Sequence, residues 1–238
     1  MGKGKRTITV MLYFLIVSAF IAAAYGTSLA TTTVAQLIPL ERDHTIIIDA
    51  GHGGEDGGAT SCTGILESQI NLDISLRLND LFRLLGYRTK MIRNTDTAVH
   101  TTGDTIAARK VSDLRNRVKL VNETEDPILI SIHQNTFPDS KYRGAQVFYS
   151  PEGKDLASEL QQSLVANDQI HNFRQAKAAN GIYLMQHINC AGVLIECGFL
   201  SNPDEAALLC DEGYLQKLAF VIFAAASDNI GAPPSTLG

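Results

Sequence analysis

The chain has 238 residues, of which 45% are hydrophobic and 19% are charged. This balance is typical of a globular protein and excludes an intrinsically disordered chain. The formal net charge of -5 and the absence of long blocks of like charge give no indication of a nucleic-acid partner. Beyond roughly forty N-terminal residues, the remaining sequence is long enough for one domain with a full hydrophobic core.

Residues 1–30 have the pattern of an export signal. Lys3, Lys5 and Arg6 precede an almost uncharged apolar run, and the small-residue segment 28–30 follows it. The run is about 18 residues long, just enough to span a bilayer, so a cleaved signal peptide and a retained anchor both remain open. A buried N-terminal helix is the alternative, which the charge asymmetry disfavours. We expect the protein to be exported and to work in the cell envelope.

A linker at 31–43 precedes a single domain at 44–230, and the Pro/Gly/Ser-rich segment 231–238 is predicted to be a disordered tail. Within the domain, short apolar runs alternate with segments of helical periodicity. The strands are predicted at 45–48, 87–92, 127–132, 145–149, 181–185 and 192–195. The helices are predicted at 67–85, 105–122, 153–167, 203–210 and 214–229. This order indicates an α/β fold with a mostly parallel central sheet flanked by helices.

The second predicted helix is amphipathic. Leu114, Val118 and Val121 share one face, and charged residues that include Arg117 lie between them.

The cysteines do not indicate a metal site. Cys62, Cys190, Cys197 and Cys210 show no C-x-x-C spacing. An extended run from Cys190 to Cys197 would hold its ends roughly 23 Å apart, too far for a disulfide. Free buried thiols are the simpler expectation, and a pairing of Cys62 remains open.

Polar residues follow three predicted strands, where α/β proteins gather their ligands. Asp49 and His52 follow the first strand, His133 follows the third, and Glu196 lies in the last. Glu67 begins the first helix. Two histidines and a glutamate are a standard zinc set with a position left open for water. Taken singly, each histidine is more simply a core or surface residue. Glu67 alone is more simply a carboxylate in the first turn of a helix, where the helix dipole favours negative charge.

Four motifs carry a resemblance to a known family. The sequence Asp-Ala-Gly-His-Gly-Gly, a Glu before an Asn-Leu-Asp helix, Ser-Ile-His-Gln-Asn, and Ile-Glu-Cys-Gly-Phe-Leu-Ser-Asn-Pro occur in this order within residues 45–229. Together they resemble the zinc-dependent N-acetylmuramoyl-L-alanine amidases. The resemblance implies one zinc ion per chain, held by His52, Glu67 and His133. It also implies that Glu196 is the catalytic carboxylate, a general base for hydrolysis of peptidoglycan.

Within this family, the small form with one domain and an N-terminal signal resembles the germination-specific amidases of spore-forming bacteria. The segment 174–177 and the wording of the second histidine motif favour this subgroup. The resemblance implies action on spore cortex peptidoglycan, on the way to muramic-δ-lactam, and a place in the cell envelope or the space between the spore membranes. Between His133 and Glu196 there is no long insertion of the kind that blocks some division amidases, so self-blocking is not expected.

Other site residues have weaker assignments. Asp49 can accept an N–H from a metal-bound imidazole or simply end a strand in a turn. Asn135 can bind substrate or organise its loop. Arg174 and Lys177 can pair with carboxylates of the stem peptide or belong to a solvated loop. The remaining histidines are expected to be structural or exposed: His44, His100, His171 and His187.

Two other readings remain open. The chain can be another zinc hydrolase of the cell wall, such as a peptidase or a deacetylase. It can also be an inactive peptidoglycan-binding homologue, or an enzyme that needs an activating protein partner during sporulation. A site of two histidines and one carboxylate also accepts iron or manganese.

Overall fold

The computed structural model describes residues 44–61, 63–167 and 172–231. The predicted export segment, the linker, all but the first residue of the predicted tail, Cys62 and His171 lie outside them. Among the described residues, none of the helices combines the length and the apolar character that crossing a membrane requires.

Strands and helices alternate along the described chain. The strands are β1 (Thr45–Ala50), β2 (Arg88–Met91), β3 (Pro127–Asn135), β4 (Gln146–Tyr149), β5 (Lys177–Ala178) and β6 (Gly192–Phe199). The helices are α1 (Glu67–Leu84), α2 (Ile106–Asn122), α3 (Lys154–Asn167), α4 (Tyr183–His187), α5 (Pro203–Leu208) and α6 (Glu212–Gly231), and a 3-10 turn at Pro151–Gly153 leads into α3.

The strands form one six-stranded sheet in the order β2-β1-β3-β6-β4-β5. All neighbouring pairs are parallel except β4 and β6, which are antiparallel. The pairing of β3 with β6 aligns His133 with Glu196, and its register shifts between His133 and Asn135. The parallel pairs β1–β3 and β3–β6 bring three carboxyl strand ends to one edge of the sheet, as the sequence predicts.

The core lies on both faces of this sheet because successive strand residues point to opposite sides. Ile46 and Ile48 of β1 pack with buried residues of α1, α3 and α6 on one face. Ile47 packs on the other face with Leu129, Leu194 and buried residues of α2 and α4. The molecule therefore has three layers, and the predicted α/β class is confirmed.

The predicted strand at 181–185 is wrong. This segment overlaps α4, at Tyr183–His187, and the short strand of the region is β5, at Lys177–Ala178. Leu184 and Met185 are buried against the second face of the sheet. A short apolar run of this kind has no periodicity that separates a strand from one helical turn, and tertiary packing decides.

Two smaller expectations can be compared with the structure. Cys190 and Cys197 are free and buried, as predicted. The predicted tail was expected to begin at Gly231, but this residue is the last of α6.

Candidate active site

The loop after β1 carries His52, a predicted metal ligand, and we call it the ligand loop. Its backbone passes close to the ring of His133. An ideal Cβ on Gly51 would lie 2.3 Å from Cε1 and Nε2 of His133, so only glycine fits there. His52 adopts φ +60°, a conformation that costs energy for a residue with a side chain. A strained backbone at His52 is therefore what places its side chain beside His133.

Three side chains meet in one cluster. The Oε1 atom of Glu67 lies 3.2 Å from Nε2 of His52 and 3.1 Å from Nδ1 of His133. One ligand atom from each residue can be chosen so that all lie within 4.8 Å of one another. The two imidazoles meet edge to face, with ring centroids 5.0 Å apart. Two ring nitrogens and a carboxylate oxygen at these separations can hold one metal ion.

Glu67 is held by several donors although it begins a helix without a side-chain cap. Its Oε2 accepts the backbone N–H of Ala59 at 2.9 Å, and its Oε1 accepts that of Gln134 at 3.1 Å. Asn71, one turn along α1, donates to Oε1 at 3.3 Å and to the carbonyl of Gly51 at 3.2 Å. The carboxylate is thereby fixed between the β1–α1 loop and the end of β3.

Asp56 orients His52. Its Oδ2 accepts the Nδ1–H of His52 at 3.0 Å, which leaves Nε2 facing Glu67. Its other carboxylate oxygen lies 2.8 Å from Nζ of Lys110 on α2. A carboxylate that receives the second N–H of a ligating imidazole fixes its tautomer and ring orientation. Asp56 was not predicted for this role, for which Asp49 was considered, although the position of Asp56 four residues after His52 is a usable signal.

Asp49 has a different set of partners. It is buried at the end of β1, accepts a hydrogen bond from the Arg117 guanidinium, and accepts the Ser131 hydroxyl at 2.7 Å. Burial acts to raise the Asp49 pKa, but the charges of Arg117 and His133 and the hydrogen bonds from Ser131 and Arg117 together outweigh it, and the pKa is lowered. Arg117 is only 3% exposed, while Leu114 on the same helix is 38% exposed. Arg117 is buried because the buried charge on β1 requires a partner from α2.

Two buried arginines hold the ligand loop by its carbonyl oxygens. Arg117 donates from Nη2 to the carbonyl of His52 at 2.8 Å and from Nη1 to that of Ala50 at 3.0 Å. Arg93 donates to the carbonyls of Ala50 at 2.8 Å and Gly51 at 2.9 Å. These bonds stabilise the left-handed conformation of His52 from the backbone side.

Glu196 lies next to the cluster on β6. Leu194 and Glu196 share a sheet face because they are two residues apart, and Glu196 is aligned with His133 on β3. Its Oε2 is buried, with no hydrogen-bond partner among the described residues. Burial raises the pKa of Glu196, the charge of His133 opposes this rise, and that of Glu67 adds to it. A partly buried carboxylate with one buried, unsatisfied oxygen and a raised pKa suits proton transfer.

The charges of the cluster depend on one another. Burial acts to lower the His52 pKa, but its interactions with Glu67 and Asp56 raise it to about 9. Burial acts to raise the Glu67 pKa, but His133 and His52 hold it well below its ordinary value. The anionic carboxylate therefore favours positive charge at this position, as a proton on an imidazole or as a metal cation.

A cavity of about 390 Å³ opens beside the cluster. It lies between α2 and the segment 181–184, on the same face of the sheet as Leu194. His52 and His133 line its floor with Asp49, and Leu114 forms part of its wall. The exposure of Leu114 follows from its place in this cavity. The cavity provides room for a substrate next to both histidines.

Three weaker candidates lie elsewhere. The backbone of Asn135 ends β3, and its carbonyl accepts the N–H of Leu200 at 2.8 Å. Arg174 donates to the carbonyl of Arg143 at 2.9 Å, and its guanidinium lies 4.7 Å from the centroid of the Phe199 ring. Lys177 is exposed on β5. The structure brings none of these three into the His-Glu-His cluster, and none of them lines the cavity.

The other described histidines fall in different settings. His44 lies 2.8 Å from Asp126 at the surface. His187 stacks on Tyr183 with ring centroids 4.0 Å apart, which is a structural role. His100 lines the cavity and lies 3.7 Å from Glu55, so it is nearer the site than its sequence context suggested.

Two imidazoles and a carboxylate beside Glu196, a partly buried carboxylate, form the site type of metal-dependent hydrolases, carried here on a three-layer α/β fold. Residues 46–228 match the family model described as N-acetylmuramoyl-L-alanine amidase. The chain belongs to this family, whose members hydrolyse the amide bond between N-acetylmuramic acid and L-alanine in peptidoglycan. Membership favours the amidase reading over a peptidase or a deacetylase.

Individual relatives agree with this assignment. The germination-specific N-acetylmuramoyl-L-alanine amidase of Bacillus subtilis is 42% identical over 182 residues, which cover 75% of this chain and 76% of that protein. The structure of the CwlD amidase from Clostridioides difficile in complex with the GerS lipoprotein superposes with a TM-score of 0.75 at 36% identity, covering 79% of this chain and 98% of that one. An N-acetylmuramoyl-L-alanine amidase from Clostridium difficile 630 has a TM-score of 0.70 at 27% identity, with 81% and 99% covered.

Proposed function

We propose that this amidase uses one zinc ion, held by His52, Glu67 and His133. The observation that carries the proposal is the convergence of three ligand atoms within 4.8 Å, with Glu67 anionic between the two imidazoles. Two neutral nitrogens and one carboxylate suit zinc and leave a position open in a tetrahedral site. When bound, zinc supplies Lewis acidity toward water and toward the scissile carbonyl.

In this proposal Glu196 moves the protons. Its carboxylate accepts a proton from the attacking water and delivers it to the amine nitrogen of L-alanine as the amide C–N bond breaks. An amine leaves poorly without this proton, so the second transfer is needed for turnover. The buried, unpartnered Oε2 of Glu196 is available for this shuttle, since its position on β6 places it beside His133. The surrounding protein restricts competing water at this oxygen.

The test is metal content and amidase activity measured on the same preparations of the full chain. We expect one zinc per chain in the parent and in Glu196→Gln, with new N-terminal alanine amines released from sacculi by the parent alone. His133→Ala should lose both zinc and activity. Glu152→Gln, an exposed position on the 3-10 turn, is the matched control and should retain both. Full activity of Glu196→Gln would contradict the proton-shuttle role, and tight zinc binding by His133→Ala would contradict the ligand set.

We further propose that the substrate is spore cortex peptidoglycan, and that cleavage leads toward muramic-δ-lactam. The 42% identity to the germination-specific amidase of Bacillus subtilis supports this assignment. Deleting the gene should leave cortex that lacks muramic-δ-lactam and spores that fail to complete germination, and restoring the parent gene should recover both. Normal muramic-δ-lactam content in the deletion strain would show that spore cortex peptidoglycan is not the substrate.

We propose that the enzyme is exported and that a protein partner activates it. The relative from Clostridioides difficile is described in complex with a lipoprotein, which supports a partner of that kind. Peptidoglycan lies outside the cytoplasmic membrane, so an exported enzyme meets its substrate there. Fractionation of sporulating cells should find the chain outside the cytoplasm. Amidase activity of the purified chain that does not rise when the partner is added would contradict activation by a partner.

A further inference from the structure

A pair of exposed aromatic rings lies just beyond the active-site end of β3. Phe137 is 48% exposed and Tyr142 is 40% exposed, and their ring centroids are 4.5 Å apart. Tyr142 also stacks near the buried Phe199 at the end of β6, with centroids 6.4 Å apart. We call Phe137 and Tyr142 the aromatic platform. Exposed aromatic rings that pack on one another at the edge of a site are a recurrent feature of binding surfaces.

The loop that carries the platform is fixed to the active-site strands. The backbone N–H of Phe137 donates to Oγ of Ser201 at 3.0 Å, and Nδ2 of Asn202 donates to the carbonyl of Ser140 at 2.8 Å. Both acceptor and donor side chains follow β6 directly. The rings are therefore held in place before a ligand arrives, and binding need not order this loop.

The platform is close to the proposed metal ligands along the chain. Phe137 follows His133 by four residues, so their Cα atoms are at most about 14 Å apart, the reach of a fully extended chain of that length. Phe199 follows Glu196 by three residues of the same strand, a rise of about 10 Å. A polymeric substrate seated with its amide bond at Glu196 extends past its muramic acid over distances of this size.

The charged groups around the rings suit a ligand that has both an apolar face and polar groups. The Nζ atom of Lys141 lies 5.7 Å from the Tyr142 ring centroid, and Lys141 pairs with Asp139 at 2.7 Å. The guanidinium of Arg174 lies 4.7 Å from the Phe199 ring centroid. An acyl chain or an apolar peptide would place its surface against these charged groups without pairing them. A pyranose ring presents a C–H face to an aromatic ring and hydroxyl groups to the surrounding charges.

We propose that the aromatic platform binds the glycan strand of peptidoglycan, one or more sugars away from the muramic acid whose amide is cleaved. The inference rests on the amidase function and extends it to a subsite for the polymer. It assigns binding of the sugar chain to Phe137 and Tyr142, apart from the cavity between α2 and residues 181–184.

The test compares a long substrate with a short one, using the full chain. For Phe137→Ala/Tyr142→Ala we expect KM to rise about tenfold on glycan strands that carry stem peptides, which corresponds to about 1.4 kcal/mol. On a muropeptide with a single muramic acid, KM and kcat should stay within about twofold. Phe220→Ala, which removes a 56% exposed aromatic ring from α6, is the matched control and should match the parent on both substrates.

Sedimentation with peptide-free glycan strands separates the failure of this inference from the failure of the amidase function. These strands offer no scissile bond, so the parent should bind them and the double variant should not, whatever the activity. Equal KM values for parent and double variant on long strands, or equal losses on long and short substrates, would overturn the platform. Phe137→Tyr should retain binding of the glycan strands, since it keeps an aromatic ring. Thermal unfolding identifies any variant that fails to fold.

Discussion

The hydrogen bond from His52 to Asp56 makes a quantitative prediction about metal affinity. In Asp56→Asn, the amide oxygen can still accept the Nδ1–H of His52, but the negative charge that strengthens the bond at 3.0 Å is lost. Loss of such an outer partner typically weakens metal binding by about 10- to 100-fold, or about 1.4 to 2.7 kcal/mol. Because the amide preserves the geometry of the hydrogen bond, we expect the loss of zinc affinity to fall in the lower half of this range.

The same carboxylate also pairs with Lys110, and the two contributions can be separated. Lys110 and Asp56 have side chains that are 51% and 25% exposed, so their ion pair at 2.8 Å contributes less than about 1 kcal/mol. Lys110→Met should therefore weaken zinc binding by no more than about fivefold.

The assay is zinc affinity from competition with a chromophoric chelator, measured on full-length protein. Asp73→Asn is the matched control, because Asp73 pairs with Arg77 at 2.7 Å on the outer surface of α1. It should leave the affinity unchanged. An Asp56→Asn variant with parental affinity would refute the orienting role of Asp56. A larger effect from Lys110→Met than from Asp56→Asn would assign the effect to the ion pair.

Three further predictions concern stability and the ligand loop. Arg117→Met leaves Asp49 buried without its charge partner and should destabilise the fold by about 3 to 5 kcal/mol in urea unfolding, whereas the double variant with Asp49→Asn should recover part of this loss. Gly51→Ala places a Cβ about 2.3 Å from the His133 ring and should abolish zinc binding, while a folded variant that binds zinc normally would show that the loop can shift. Ile74→Ala removes a fully buried side chain of α1 and should cost about 2 to 5 kcal/mol of stability with zinc affinity unchanged in the folded protein.

The fold and the main cluster were accessible from the sequence because they follow local patterns. Continuous apolar strands such as Ile46–Ile48 alternate with amphipathic helices, which indicates a parallel sheet before any contact is known. Parallel strands bring their carboxyl ends together, so His52 and His133 could be predicted to meet. Glu67 could be placed with them because it starts the helix that follows the first ligand loop.

The parts that were missed depend on contacts distant in sequence. The burial of Arg117 has no signal in the sequence, and only the buried Asp49 opposite explains its position. The role of Asp56 depends on a turn closed by paired backbone hydrogen bonds with Gly53, at 2.8 and 3.2 Å, which a pattern of residue types does not define. The helix α4 has five residues, too few for periodicity to distinguish it from a strand.

The position of β6 in the sheet has a consequence for when activity can arise during synthesis. This strand is the last along the described part of the chain, yet it lies between β3 and β4 in the sheet. A chain made from its N-terminus therefore presents both histidines and Glu67 well before Glu196 exists, and until β6 inserts, the inner edges of β3 and β4 have no partner. Truncated chains that end before Gly192 contain the three proposed metal ligands but lack Glu196 and the strand that joins β3 to β4. The proposed site is therefore complete only after β6 has joined the sheet.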